Sequence, residues 1–162
     1  MSPSQPTSGA SAGGRWPISR WIGSAAVAAL LIQLVPYGRG HDNPPISEEP
    51  VWDAEQTRTL FHRACGDCHS NETTWPWYSH VAPVSWLVQY DVEEGREHFN
   101  VSTYDRPRQD ADEAAELVRQ GEMPPWFYLP AHPEARLDDA EKQALVQGLV
   151  RTFGDEYAGA HP

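Results

Sequence analysis

The two cysteines of the chain stand in a single pentapeptide, Cys65-Gly66-Asp67-Cys68-His69, and nothing else in the sequence limits the fold as strongly. A C-x-x-C-H sequence is the attachment pattern of a c-type haem. Two thiols at this spacing reach the vinyl groups of one macrocycle, and the adjacent histidine is placed beneath the iron as proximal ligand. Competing readings have less support. A thioredoxin-like redox pair expects a βαβ context, and no strand alternation is visible. A structural zinc site needs four ligands, and there is no second cysteine pair. A chain of 162 residues built around such a group has room for one ordinary domain and an added segment.

A low-spin electron carrier needs a sixth ligand. Apart from Met1, Met123 is the one methionine, in Gly121-Glu122-Met123-Pro124-Pro125. Its thioether is a soft ligand that favours ferrous iron, and the two prolines stiffen the loop that would hold it. A core gap-filler is the ordinary role of such a residue. The competing ligands are His80 and His98. His62 lies on a helix leading into the motif, and His41, His132 and His161 fall in linker or tail contexts.

Apolar spacing predicts an all-α domain. A first helix, capped at Asp53 or a neighbour, runs to about Ala64 with Thr57, Leu60, Phe61 and Ala64 on one face, and delivers Cys65. A second runs from about Pro83 to Phe99, weakened by Asp91 and Gly95. A third, about Ala111 to Gln120, ends at Gly121. The fourth opens on Asp138-Asp139-Ala140-Glu141, a D-x-x-E capping pattern, and continues through Leu145, Leu149 and Phe153.

Two aromatic clusters follow the candidate ligands: Trp75-Pro76-Trp77-Tyr78 and Trp126-Phe127-Tyr128. Their indole N–H and phenol O–H groups suit a haem-pocket wall that bonds propionates, or else they are core aromatics. Arg96 is a candidate propionate partner, or an exposed helix arginine. The proximal histidine also needs a carbonyl for its other ring N–H; Pro83 is placed to offer one, with Pro76 as rival. Asn71-Glu72-Thr73 and Asn100-Val101-Ser102 match the glycosylation pattern by chance.

Charge divides the chain. Before Asp42 there are three arginines, Arg15, Arg20 and Arg39, and no acid; from residue 40 onward nine basic residues face 23 acidic ones, a net of −14. The whole-chain charge of −11 excludes a general nucleic-acid binder, which needs a basic footprint. Acidity suits transient docking on a basic redox partner as well as it suits solubility alone. Residues 1–16 are too polar and Gly/Pro-rich to bury a core and are expected to be disordered. Trp21 to Gly38 carry no charge and include AAVAALLIQLV. Residues 17–38 therefore read as a transmembrane anchor, or a signal left uncleaved, bracketed by Trp16, Trp21 and Tyr37. That topology keeps Arg15 and Arg20 inside the cell and places the acidic remainder in the periplasm, tethered to the inner membrane by one pass. Residues 39–52 read as a Pro-rich linker, 53–154 as the haem domain and 155–162 as a tail.

The stretch CGDCHSNETTWPWYSHVAPVSWLV, then EEGREHF, GEMPPWFY and AHPEARL, and a closing helix, resembles the bacterial haem-binding domain family over roughly residues 35–153. The resemblance implies an exported c-type haem protein with the helical architecture of class I cytochromes c. Cys65 and Cys68 would carry one haem, His69 would be proximal and Met123 distal. At Gly148 the resemblance leads one to expect a bulky residue, and a glycine there costs the helix about 1 kcal/mol relative to alanine. The function expected is a membrane-tethered mono-haem electron carrier and not an enzyme. The alternatives are a haem sensor or peroxidase-like protein with a displaceable sixth ligand, or a haem subunit of a larger oxidoreductase.

Overall fold

The computed structural model describes residues 18–105 and 110–154. The expected disordered start at 1–16 and tail at 155–162, with Arg15, Trp16 and His161, lie outside the described residues. The chain divides into two compact units, Met1–Val35 and Pro36–Pro162.

The described part of the first unit is one helix, α1 (Ile18–Ile32), whose apolar side chains are exposed, Trp21, Ile22, Leu30 and Leu31 among them. It is shorter than the uncharged run that predicts it. Pro36 has no N–H to continue the ladder. The three residues before it turn tightly instead, each N–H of Gln33, Leu34 and Val35 bonding three residues back. Fifteen residues rise about 22 Å, against a hydrocarbon core of about 30 Å. Among the described residues no helix is long and apolar enough to cross a membrane, which corrects the expected transmembrane helix.

The second unit is helical, as expected. α2 (Glu55–Ala64) buries Thr57, Leu60, Phe61 and Ala64 and leads directly into α3 (Gly66–His69), a single turn inside the motif. α4 spans Val84–His98 and α5 spans Ala114–Gln120, with a 3-10 turn over Ala111–Glu113 ahead of it. α6 (Asp139–Phe153) starts at the expected capping box: Asp138 accepts from the Glu141 N–H at 2.8 Å and Glu141 accepts from the Asp138 N–H at 3.1 Å. Asp53 is not a cap. Ala54 holds that position without a side-chain bond, while Asp53 accepts from Arg151 Nε at 2.7 Å and joins the start of α2 to the end of α6. The single β-bridge among the described residues, Glu48 to Thr103, lies outside any strand.

Leu60, Phe61, Phe99, Val101, Leu145 and Leu149 form the centre of the core. The segment read as a linker is extended, as its prolines require, yet it is bonded along the domain. Asn43 donates to the Thr73 carbonyl at 2.9 Å, Ser47 N–H to the Ser102 carbonyl at 2.9 Å, and Tyr104 N–H to the Glu48 carbonyl at 3.1 Å. Asn71 and Asn100, of the two chance glycosylation matches, are buried and bonded to each other at 2.9 Å.

Gly148 is where α6 crosses α2. A Cβ there would meet the Oγ1, Cγ2 and Cβ of buried Thr57. The glycine thus allows close packing of the last helix; it does not loosen it. Gly148→Ala gains about 1 kcal/mol of helix propensity but incurs overpacking of about 1–3 kcal/mol. The urea midpoint is expected to fall, and Thr57→Ala in the same chain to recover part of the loss, since it removes the Oγ1 and Cγ2 contacts but keeps the Cβ.

Candidate functional site

The attachment turn is positioned from both sides. α2 delivers Cys65, whose N–H donates to the Phe61 carbonyl at 2.7 Å, and the His69 N–H closes the next turn on the Cys65 carbonyl at 3.0 Å. α4 lies directly over this turn at Gly95. A Cβ on that residue would stand 2.6 Å from the Cys68 carbonyl oxygen and 2.9 Å from the Cys68 Cβ. Phe99 follows the end of α4, and its carbonyl accepts from His69 Nδ1 at 2.9 Å. A carbonyl only accepts, so Nδ1 carries the proton and Nε2 keeps a bare lone pair, the form in which imidazole ligates a metal. Burial holds His69 below its ordinary range and keeps it neutral. The Val101 N–H returns a bond to the His69 carbonyl at 3.0 Å, so the 99–101 backbone grips this residue at both its ring and its main chain.

Beside this turn is a cavity of about 420 Å³, within the size range of cofactor sites. Cys65, Cys68, His69 and Met123 all line it. Its apolar walls include Phe61, Ala64, Phe99, Leu117, Val118 and Leu149. Burial pushes both thiols up to about 12, so both are neutral near pH 7. Redox dithiols work as thiolates, so this neutral pair lacks the activation of a thioredoxin-like site. Among the described residues the two cysteines join no group of three metal-ligating side chains such as a structural zinc site needs. Two neutral thiols, an imidazole with a bare Nε2 and a thioether around an apolar chamber form a donor set that fits haem.

Part of the lining is acidic: Asp91, Glu94, Asp110 and Glu113, with no lysine or arginine among the described lining residues. Asp91 is raised above the usual carboxylate range by burial. His98 also lines the cavity, 3.1 Å from Asp110, whereas His80 is an exposed residue edge-on to His41 and outside the lining. Met123 and His98 therefore remain as the candidate distal groups that reach the chamber.

Other expected site residues lie elsewhere. Arg96 donates to the carbonyls of Ser70 and Asp42, to Asn43 Oδ1 and to Thr73 Oγ1, at 2.8–3.0 Å. It fastens the extended segment to the region of the C-x-x-C-H turn and is outside the cavity lining. Pro83 is the residue before α4, and the acceptor for His69 is Phe99, not Pro83 or Pro76. Trp75 stacks on His41 and donates to Asn43. Trp77 and Trp126 are 78% and 81% exposed, and neither lines the cavity. From the second aromatic cluster it is Phe127 and Tyr128 that do. Tyr78 bonds His132 at 2.6 Å, and buried His132 stacks on Tyr128 at 3.8 Å.

The haem-binding domain family matches residues 27–151, most of the chain. The chain belongs to that family. The haem-binding domain is also similar to the cytochrome c peroxidase Ccp of Escherichia coli (strain K12), at 26% identity over 151 residues and 85% of this chain. It spans only 32% of that relative's length. No solved structure matches it.

Membership makes haem the ligand to test at this cavity, and Gly95 is the closest packing point beside it. Gly95→Ala forces α4 off the Cys68 main chain, which has no side-chain freedom with which to yield. Overpacking of about 1–3 kcal/mol is expected to lower the urea midpoint and the yield of haem-loaded protein, the latter read from the ratio of Soret to protein absorbance. Full haem content in Gly95→Ala would show that the close approach is dispensable.

Proposed function

We propose that this haem-binding domain is a mono-haem c-type electron carrier of the exported compartment. The observation that carries the proposal is the presence of Cys65, Cys68, His69 and Met123 around one apolar cavity. Cys65 and Cys68 would hold the haem as thioethers. His69, oriented by the Phe99 carbonyl, and Met123 would supply its iron ligands. When bound, haem supplies one-electron redox chemistry. The residues around it orient it and exclude water, and this role requires no acid, base or nucleophile. The soft Met123 sulfur favours the ferrous state and raises the potential.

Export follows the attachment chemistry and the charge division. The uncharged part of α1 that follows Arg20, Trp21 to Ile32, has the length of an export signal's apolar region. It would deliver the acidic domain to the periplasm, beyond the cytoplasmic membrane. There the carboxylates of Asp91, Glu94, Asp110 and Glu113 offer a basic redox partner an acidic approach to the cavity.

A peroxidase-like reading is the alternative, supported by the similarity to the Escherichia coli peroxidase and by His98 and its carboxylates at the cavity. Met123→Ala separates the two. For an electron carrier, the native protein shows a Met–Fe charge-transfer band and resists carbon monoxide when reduced. The variant loses the band, has a lower potential and binds carbon monoxide at once. A spectrum and potential indifferent to Met123→Ala would remove Met123 as ligand and favour the peroxidase-like reading.

A further inference from the structure

The Met123 loop is fastened at two points. At its start, the N–H groups of Glu122 and Met123 both donate to the Leu117 carbonyl at the end of α5, at 3.0 and 3.2 Å. At its far end, Tyr128, a lining residue of the cavity, donates its hydroxyl to Asp67 Oδ2 at 2.7 Å. Asp67 lies inside the attachment motif, two residues before His69. It is itself immobilised, with Oδ1 accepting from the Thr74 N–H at 2.8 Å and its carbonyl accepting from Thr73 Oγ1 at 2.6 Å. Buried His132 lies flat on the Tyr128 ring, 3.8 Å away with 9° between planes, and is fixed in turn by the Tyr78 hydroxyl. Between the fastenings stand Met123 and two prolines. Such a loop has little freedom while both ends are tied and much more once one is released.

We propose that the Tyr128–Asp67 hydrogen bond is a clamp that joins the loop carrying Met123 to the turn carrying His69, and so sets how firmly the distal side of the haem site is closed. Tyr128 is a positioning residue, acting on Met123 through the backbone between them. With the clamp made, the site is that of an electron carrier; with it released, a small ligand can displace the sulfur. The inference rests on the proposed ligation by Met123.

Tyr128→Phe tests it, because the variant keeps the ring, its stacking on His132 and its apolar wall, and removes only the hydroxyl. In the haem-loaded protein the variant is expected to show a weakened Met–Fe band. Its reduced form should bind carbon monoxide roughly tenfold faster, the factor that corresponds to about 1.4 kcal/mol, one hydrogen bond. In urea the band of the variant should vanish well before the helical circular-dichroism signal, whereas the native protein loses both together. A native band unchanged by Tyr128→Phe would overturn the clamp and leave the electron-carrier reading intact. Simultaneous loss of band and helix in the variant would make Tyr128 merely structural and also overturn it. So would failure of the variant to take up haem, since a clamp closes the site and does not build it. Absence of the band from the native protein would remove Met123 as ligand, and the clamp with it.

Discussion

The close seating of α4 on the attachment turn governs the rest of this molecule. At Gly95 the helix touches the Cys68 backbone with no room for a side chain. Four residues later the same chain presents the Phe99 carbonyl to His69 Nδ1. Both contacts depend on one helix placement. That placement chooses the imidazole tautomer and directs its free nitrogen's lone pair away from Phe99, while the Phe99 ring joins the core with Phe61 and Leu149. A shift of α4 by the width of one methyl group would disturb the C-x-x-C-H turn and the core together.

What was legible in the sequence is what local pattern encodes. The C-x-x-C-H motif, the apolar face of α2, the capping box of α6 and the Gly121 stop each depend on neighbours within a turn or two, and each stands where spacing places it. Met123 in its Pro-Pro loop reaches the cavity with the motif. Long-range hydrogen bonds were not legible. The acceptor for His69 is a backbone carbonyl 30 residues away, which no side-chain pattern marks. Arg96 could not be told from a haem partner until its four oxygen acceptors in the extended segment and attachment region were located. Gly95 and Gly148 read as weak points in helices because propensity sees only the helix, not the backbone or threonine pressed against it. His132, placed by sequence in a linker or tail context, is buried beneath Tyr128. The N-terminal run shows a related limit: lack of charge extended over 18 residues, but Pro36 ends the helical hydrogen bonding first.

Charge and geometry meet at the cavity. The strongly acidic portion from residue 40 onward places four of its carboxylates along the lining, while no lysine or arginine of the described residues joins them. Burial raises Asp91 above its ordinary value, because the low-dielectric wall penalises the charged form. The remaining acids give the site a negative approach that disfavours acidic partners as much as it attracts basic ones.

Covalent attachment of one haem through Cys65 and Cys68 is the central claim, and partition in acidified acetone tests it most directly. The full chain, produced alongside haem-attachment machinery, is expected to keep its haem in the protein pellet. The Cys65→Ala, Cys68→Ala chain should release its haem into the solvent. Complete extraction of haem from the native chain would contradict covalent attachment.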